Sequence, residues 1–371
     1  MMHGKRNISI FSPHIPESVI NVAIQTLKSK WINVGPETNL FEKAFAMKFN
    51  LKYAVAVNSC TSALRLAYAI AGIGPRDEVI TSPFTMIATN TAILEQFAIP
   101  VFADVKYETS NIDPSDIEHR ITKKTKAIVC VHNLGYPCDL KELREIASKH
   151  ELALIEDCAH ALGATYHSKY IGSDSDYACF SFHAVKHITT GDGGMFVTKN
   201  KKIFEEADRR SWFGMNRQKK DRLMGQYPYD IKEVGYKMRM NSFLASIGRE
   251  QLKYVDKILA ERRKKAKIYD EELEGVKRIT LMNYREDRES SYYLYPIHVK
   301  RRLKFAKMMK SKGIEVYVQN FRNDRFSIFG KIREDLPSTD RIDKDFICLP
   351  IHDDVNLEDL EYIIKTIKNG W

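Results

Sequence analysis

The sequence predicts an α/β protein built on a mainly parallel sheet that helices cover on both faces. From Tyr53 onward, apolar runs of strand length alternate regularly with stretches of helical spacing, a pattern typical of parallel strands joined by helices. No internal repeat or low-complexity tract interrupts this alternation. With 371 residues, the chain is long enough for more than one hydrophobic core. We therefore expect a large α/β domain over residues 1–250 and a smaller C-terminal α/β domain over residues 251–371.

The periodicity of the apolar residues assigns the individual elements. The first two helices are predicted near residues 19–27 and 39–49. In the large domain, the predicted strands cover residues 53–57, 78–82, 100–105, 127–132, 152–157, 177–182 and 195–198. The predicted helices between and after them cover residues 61–71, 87–96, 113–121, 139–150 and 203–211. A long helix at 243–269 should bridge to the smaller domain, with strands at 292–299 and 313–318 and helices at 303–311 and 357–368.

Composition argues against several functional classes. The formal net charge is +10, but the basic residues are dispersed and accompany no helix-turn-helix, finger or RNA-binding motif, so we expect no nucleic-acid partner. A positive surface that attracts anionic substrates explains the charge equally well. The six cysteines form no CxxC pair and the histidines form no HExxH motif, so free thiols and no metal site are expected.

The N-terminus has no apolar signal-peptide run, and no stretch is apolar for the length of a membrane span. These features predict a cytoplasmic protein without a membrane partner.

Lys186 is the first candidate for a chemical role. It follows the predicted strand at 177–182 and precedes a glycine-rich turn at 191–194. A lysine in that position lies where a pocket wall would be, and a desolvated ammonium group has a lowered pKa and becomes nucleophilic. A Schiff-base lysine needs these properties. The structural alternative is a strand-end lysine whose side chain reaches water, as most lysines do.

Asp157 is the second candidate, because it ends the predicted strand at 152–157. In α/β sheets, ligands bind outside the carboxyl ends of the strands. A carboxylate there, with a lysine on a neighbouring strand, fits pyridoxal 5′-phosphate, whose ring nitrogen an Asp keeps protonated while a Lys holds its aldehyde. The alternative role for Asp157 is to cap a helix formed by the small residues that follow it.

Three motifs around these two residues carry a resemblance to a known family. They are IEDCAHALGA at 155–164, SFHAVK at 181–186 and ITTGDGG at 188–194. Together they closely resemble the DegT/StrS family of sugar aminotransferases, which are fold-type I enzymes dependent on pyridoxal phosphate. The similarity extends over nearly the whole chain, from WINVGP at 31–36 to CLP at 348–350.

The resemblance implies a fold-type I transferase that moves an amino group from L-glutamate to a keto group, at C4 or C3, of a nucleotide-linked deoxy sugar. Pyridoxamine phosphate would carry the amino group between the two half-reactions. Lys186 would form the internal aldimine and, once released, move the proton between substrate and cofactor. Asp157 would keep the pyridinium protonated, His160 would contact the cofactor near its ring oxygen, and Ser181 would reach the phosphate.

Residues 59–61 form a predicted phosphate site, because Ser59, Cys60 and Thr61 lie at a helix N-terminus, where free amides and the helix dipole attract anions. Simple N-capping by Ser59 or Thr61 is the alternative. The resemblance identifies this segment as the family's Ser-Gly-Thr phosphate loop, with Cys60 in place of the glycine. We expect phosphate binding to survive this change because cysteine is small.

The remaining site predictions also follow from the resemblance. Met86 stands where many relatives have an aromatic residue that stacks on the cofactor ring, although a core methionine is the alternative. The segment at 234–241 resembles one that crosses a homodimer to the partner's cofactor phosphate, through Lys237, Arg239 or Asn241. This implies a homodimer whose active sites are shared across the interface. The residues expected to bind the nucleotide sugar are Arg217, Arg322 and Asn323, with solvated surface residues as the alternative.

Three other functions remain as alternatives. The 3-dehydratase branch of the family has histidine at the Schiff-base position, so Lys186 counts against it. An aminotransferase acting on a cyclitol or another non-nucleotide ketone would use the same donor motifs. A binding or regulatory protein of the same fold, such as one contacting nucleic acid through its basic surface, would be favoured by loss of Lys186 or Asp157, and both are present.

Overall fold

A seven-stranded sheet forms the centre of the molecule. The computed structural model describes residues 7–216 and 230–371. Its strands are, in chain order, β1 (Tyr53–Val57), β2 (Glu78–Thr81), β3 (Ile99–Phe102), β4 (Thr125–Val131), β5 (Ala153–Asp157), β6 (Thr165–Tyr166), β7 (Lys169–Tyr170), β8 (Tyr177–Ser181), β9 (Gly194–Thr198), β10 (Ile279–Leu281), β11 (Arg288–Glu289), β12 (Tyr295–Val299) and β13 (Phe346–Leu349). The central sheet has the order β1-β9-β8-β5-β4-β2-β3. All of its neighbouring strands are parallel except β9, which is antiparallel to both β1 and β8.

Helices cover both faces of this sheet, as the sequence predicts. The helices are α1 (Glu17–Lys28), α2 (Pro36–Lys48), α3 (Cys60–Ile70), α4 (Ile87–Leu94), α5 (Pro114–Arg120), α6 (Leu140–Lys149), α7 (Lys201–Arg210), α8 (Ser242–Gln251), α9 (Val255–Leu273), α10 (Arg302–Ser311), α11 (Pro337–Asp345) and α12 (Leu357–Lys368). Alternate residues of β1 enter two different cores: Ala54 and Ala56 pack with Phe41 of α2, whereas Val55 packs with Leu64 of α3. Since strand side chains alternate between faces, this division means that the sheet is buried on both sides. The prediction of a mainly parallel α/β fold is therefore confirmed.

A second, antiparallel sheet of order β10-β12-β13 has its own core. Phe305 of α10 and Ile363 of α12 pack in that core against Ile297 of β12. The N-terminal Ile8 also packs there and pairs with Ile314. The division of the chain at residue 250 stays a prediction, and Ile8 shows that the second core draws on both ends of the chain. A small third sheet has the order β11-β6-β7.

Two predicted elements differ from the structure. The strand expected at 313–318 is absent, because the segment makes only isolated bridges to two partners, Ile314 to Ile8 and Tyr317 to Cys348, and so forms no continuous ladder. The single helix expected at 243–269 is two helices, α8 and α9, separated by a 3₁₀ turn at Leu252–Tyr254. Buried Leu252 and Val255 keep an apolar spacing through the turn, so the sequence gives no sign of the break.

Among the residues that the structure describes, no helix combines the length and the apolar character that crossing a bilayer requires.

Candidate active site

The carboxyl ends of β1, β5 and β8 bring the predicted site residues to one edge of the central sheet. β5 and β8 are parallel neighbours, with Asp157 opposite Cys179, so Asp157 and the loop that carries Lys186 leave the sheet on the same side. β1 runs in the same direction as β8, because both are antiparallel to β9 between them. The first turn of α3, which follows β1, therefore lies at this edge too.

Lys186 is half-buried, and its Nζ lies 4.3 Å from the ring centroid of Tyr293. Burial lowers the pKa of Lys186 to about 8, although the nearby Cys60 and Asp157 oppose the shift. No ion pair of Lys186 is found within residues 7–216 and 230–371. Near neutral pH, far more of this side chain than of an ordinary lysine is therefore the free amine, which is the nucleophilic form. The structure favours this role over that of a lysine extended into water.

Asp157 is buried and accepts two close hydrogen bonds. Thr89 Oγ1 donates to its Oδ2 at 2.8 Å, and the amide of Ala159 donates to its Oδ1 at 3.0 Å. Burial raises the pKa of Asp157, and these donors together with the Lys186 charge oppose that rise. The bond from Ala159 spans two residues and closes a turn, since no helix begins there. The alternative role of helix N-cap is therefore wrong.

The first turn of α3 forms a possible anion site. Ser59 is the N-cap, and its hydroxyl accepts the amide of Ser62 at 3.1 Å. The amides of Cys60 and Thr61 have no acceptor within the helix, as for the first residues of any α-helix. Gly194 of β9 passes so close that an added Cβ would lie 2.5 Å from the carbonyl carbon of Ser59. Glycine at this position is therefore needed for the strand to pass beside the helix start.

The Cys60 side chain turns away from solvent, because its Sγ lies 4.0 Å from Asp157 Oδ1 and 3.5 Å from the carbonyl oxygen of Cys179. Burial, followed by the charge of Asp157, raises the pKa of the thiol, which keeps it neutral. Cys60 therefore places its sulfur beside Asp157. All six cysteines are free, and Cys60 alone among them is not fully buried.

His160 and Ser181 lie at the same edge. The His160 ring stacks on Tyr293, with centroids 4.2 Å apart and planes 7° apart. Its buried Nδ1 has no hydrogen-bond partner among the described residues. Burial, followed by the charge of Lys186, lowers the pKa of His160 well below its ordinary value, so the ring is neutral. Ser181 is buried at the end of β8, and its Oγ accepts the amide of His183 at 3.3 Å.

Met86 is not a core residue. It precedes the first residue of α4 and its side chain is 54% exposed. The alternative of a core methionine is therefore wrong, and the predicted contact with the cofactor ring stays a prediction.

The three candidates for a contact across a dimer differ in what their side chains already bind. Arg239 is buried in ion pairs with Glu42, at 2.9 Å, and Asp208, at 3.0 Å, within its own chain. Asn241 caps α8 by accepting the amide of Leu244 at 2.9 Å. Lys237 is exposed. The geometry therefore favours Lys237 and Asn241 over Arg239 for a contact with a second subunit.

Two of the predicted nucleotide-sugar ligands, Arg322 and Asn323, are bonded to other groups of the protein. The Arg322 side chain is buried, binds both carboxylate oxygens of Asp324, and also pairs with Asp340. Asn323 donates to the Thr85 carbonyl at 2.8 Å and accepts from Asn90 at 2.8 Å. Their hydrogen-bonding groups are thus used in holding two segments of the chain together, which counts against the predicted substrate contact. Arg217 lies outside the described residues.

Two residues of the candidate site, Tyr293 and Thr89, are not predicted by any pattern in the sequence. Tyr293 comes from the segment before β12, more than 100 positions after Lys186, so no local spacing signals the contact. Thr89 lies in the first turn of α4, three residues after Met86, where a threonine is unremarkable. A search for donors near a strand-end carboxylate would find it only once the packing is known.

A buried group of His132, Glu156 and Cys158 brings possible metal-ligand atoms within 4.8 Å of one another. The amide of Cys138 donates to His132 Nδ1 at 3.0 Å, and His132 Nε2 donates to Glu156 at 3.2 Å. Ser175 also donates to Glu156. With these atoms already paired, the group forms a hydrogen-bond network beneath the site.

Comparison with known proteins agrees with the motifs. The model of the DegT/DnrJ/EryC1/StrS aminotransferase family matches residues 13–368. The chain is 34% identical over 373 residues to the spore coat polysaccharide biosynthesis protein SpsC of Bacillus subtilis, covering 96% of this chain and 95% of that protein. It is 37% identical over 270 residues to GDP-perosamine synthase of Escherichia coli O157:H7, covering 72% of each. The sugar aminotransferase CalS13 of Micromonospora echinospora has a similar structure, with a TM-score of 0.93, 32% identity, and coverage of 98% of this chain and 100% of that chain.

Proposed function

Since the chain belongs to the DegT/DnrJ/EryC1/StrS aminotransferase family, we propose that it is a pyridoxal-phosphate-dependent enzyme that moves an amino group from L-glutamate to a nucleotide-linked deoxy sugar. The amino group would be delivered to a keto group at C4 or C3. Lys186 and Asp157 carry the proposal: a lysine whose pKa is lowered to about 8 lies at the same sheet edge as a buried carboxylate. Family membership alone would not fix the substrate.

The residues of this edge fit pyridoxal phosphate. The amides of Cys60 and Thr61 and the hydroxyl of Ser181 would hold the phosphate. Asp157 has room for a further donor, because a carboxylate accepts about four hydrogen bonds, and its donors are Thr89, Ala159 and, only weakly, the Cys60 thiol at 4.0 Å. The unpartnered, neutral His160 is available to the ring oxygen.

When bound, the cofactor supplies an electron-withdrawing ring and an aldehyde that condenses with amines. Asp157 would accept a hydrogen bond from the protonated ring nitrogen and so keep the proton there. The Nζ of Lys186 would take a proton from the substrate carbon and return it, a contribution worth roughly 10²–10⁴ in rate. Its pKa near 8 suits both directions of transfer at neutral pH.

A nucleotide-linked sugar is favoured as the acceptor by two observations. One relative, which is similar over 72% of this chain, is named GDP-perosamine synthase, and GDP-perosamine is a nucleotide-linked sugar. The chain's net charge of +10 also attracts anionic substrates. A cyclitol or another non-nucleotide ketone is the alternative acceptor.

The active unit would be a homodimer that shares its active sites. α1 and the loop after it expose Leu27, Trp31 and Ile32, each more than half exposed, whereas most large apolar side chains are buried. The exposed Lys237 and the N-cap Asn241 would reach the cofactor phosphate of the second subunit.

An absorbance spectrum of the purified protein, before and after L-glutamate, tests the first half-reaction. We expect wild type with pyridoxal phosphate to show a visible cofactor band that L-glutamate bleaches. Lys186→Ala should not form that band. Lys199→Ala is the matched control, because Lys199 pairs with Asp174 outside the site. If wild type shows no band after incubation with the cofactor, the aminotransferase proposal fails, and binding of nucleic acid at physiological salt would then favour the non-catalytic alternative.

The acceptor is tested by incubating the enzyme, after its band has been bleached by L-glutamate, with 4-keto and 3-keto nucleotide sugars and with a keto-cyclitol. Return of the visible band identifies the acceptor. A response to the cyclitol alone would replace the nucleotide-sugar proposal by its alternative.

A further inference from the structure

A short segment before β12 reaches across to the candidate active site. The Ser291 hydroxyl donates to the carbonyl of His160 at 2.8 Å, and the Ser291 amide donates to the carbonyl of Gly135 at 3.1 Å. His187 Nε2 donates to the Ser291 carbonyl at 2.8 Å. Ser291 is therefore bonded to three loops of the sheet edge, including the residue next to Lys186.

Tyr293 is held in place by the same segment. Its amide donates to the Leu134 carbonyl at 2.9 Å, and its carbonyl accepts the Arg262 guanidinium at 2.8 Å. The side chain is only 2% exposed. The centroid of its ring lies 4.2 Å from the centroid of the His160 ring and 4.3 Å from Lys186 Nζ. The ring is thus a fixed surface beside the Lys186 side chain.

The electrostatic surroundings of Lys186 make this ring important. The titratable groups that face it are Asp157 of β5, Cys60 of α3, His160, the adjacent His187 and Tyr293 itself. Burial keeps both histidines neutral and the Cys60 thiol protonated. Asp157 attracts the ammonium group but forms no ion pair with it among the described residues. An aromatic face at 4.3 Å attracts a cation through its quadrupole, and more strongly where water is excluded.

We propose that Tyr293 is a positioning residue that holds the free ammonium group of Lys186 over its ring and thereby sets the proton affinity of that amine. Burial favours the neutral amine, whereas the ring favours the ammonium form, and the balance determines how readily Lys186 takes and returns a proton. The consequence for catalysis rests on the proposed function. The contact itself belongs to the state in which Lys186 is not bonded to the cofactor.

The test measures the pKa of Lys186 in the cofactor-free protein. Trace acetylation with acetic anhydride across a pH series, followed by peptide mass spectrometry, reports the unprotonated fraction of each lysine, and Lys199 serves as the internal reference. Tyr293→Leu should lower the Lys186 pKa by about half a unit to one and a half units, since the aromatic face is lost. Tyr293→Phe keeps the face and should leave the value unchanged.

Pentafluorophenylalanine at position 293 guards against a folding defect in the leucine variant, because it keeps the size of the ring and reverses its quadrupole. It should lower the Lys186 pKa at least as much as leucine does. A pKa that stays constant or rises in the pentafluorophenylalanine protein overturns the proposal, as does an equal fall in Tyr293→Phe. The labelling uses no cofactor, so failure of wild type to bind pyridoxal phosphate would remove the proposed function and leave this result intact.

Discussion

Glu156 and Asp157 are neighbours on β5 and are both buried, but their pKa values are shifted in opposite directions from the ordinary values. Glu156 accepts hydrogen bonds from His132 and Ser175 and pairs with Arg144 at 3.5 Å. Burial raises its pKa, but these partners outweigh burial and lower it. Asp157 has two close donors, Thr89 and Ala159, and a weak third donor in the Cys60 thiol at 4.0 Å, and burial raises its pKa.

The difference shows that the strength and charge of the partners, more than burial, separate a structural carboxylate from one suited to a ligand: Glu156 has the charged Arg144, whereas the third donor to Asp157 is only the distant Cys60 thiol. Adjacent residues of a strand point to opposite faces, so Glu156 meets α6 and the His132 loop while Asp157 meets α3 and α4. A carboxylate with unfilled acceptor capacity is costly to bury, and a protonated ring nitrogen would relieve that cost. The contrast supports Asp157, rather than Glu156, as the residue proposed to bind the cofactor.

The largest effect should come from Glu156→Gln. The amide group would place an N–H against the donors of Ser175 or His132, so we expect the free energy of unfolding in urea to fall by about 2 to 3 kcal/mol. Because the pKa of Glu156 is lowered, its stabilisation is present above its ordinary value near 4.5 and is lost as pH falls through the folded value. The variant should lack this loss of stability at acid pH. Its turnover per folded, cofactor-loaded subunit should equal that of wild type. An unchanged urea midpoint would contradict the structural role.

Asp157→Asn should have the opposite profile. Stability should stay within about 1 kcal/mol of wild type, because the carboxylate is costly to bury and Thr89 still finds an acceptor. Turnover should fall about 10- to 100-fold or more, since a hydrogen bond to a charged group is lost. Steady-state kinetics beside urea denaturation checks both halves. If activity fell only in proportion to stability, the contrast with Glu156 would disappear.

Thr89 offers a finer comparison within the same carboxylate environment. Thr89→Val removes the donor to Asp157 at nearly constant shape, so cofactor affinity should weaken about tenfold. Thr89→Ser keeps the hydroxyl and should restore most of the affinity, which a purely packing role would not predict. Equilibrium titration with pyridoxal phosphate measures this. Equal affinity in the valine and serine variants would remove Thr89 from the site.

The smallest effect concerns how the rate of cofactor capture depends on pH. The amine of Lys186 is the reactive form, so capture of pyridoxal phosphate by the cofactor-free protein should accelerate as pH rises and level off above about 8. An ordinary lysine would level off near 10.5. Stopped-flow absorbance across pH 6 to 11 distinguishes the two, and a plateau near the higher value would show that Lys186 is more solvated than the structure indicates.

The sequence predicted some parts of the site better than others for a physical reason. Asp157 ends β5, and Ser59 and Lys186 lie in the short segments that follow β1 and β8, so strand direction alone places them at one edge. Arg322 and Asn323 lie in a segment without regular structure, where partners are set by packing. Asp324 and Asp340 neutralise the arginine, and Asn90 and Thr85 hold the asparagine, in contacts that no spacing reveals.

The same distinction applies to the fold. Alternating periods of two and of about 3.6 residues are local properties, and they determined that this chain forms an α/β sheet covered on both faces. The break between α8 and α9, the absence of a strand at 313–318 and the place of Tyr293 beside Lys186 depend on contacts between distant segments. Sequence by itself therefore determined the fold class and identified the candidate site residues, whereas only the tertiary structure decided which partners set their charge, because charge depends on what burial brings close.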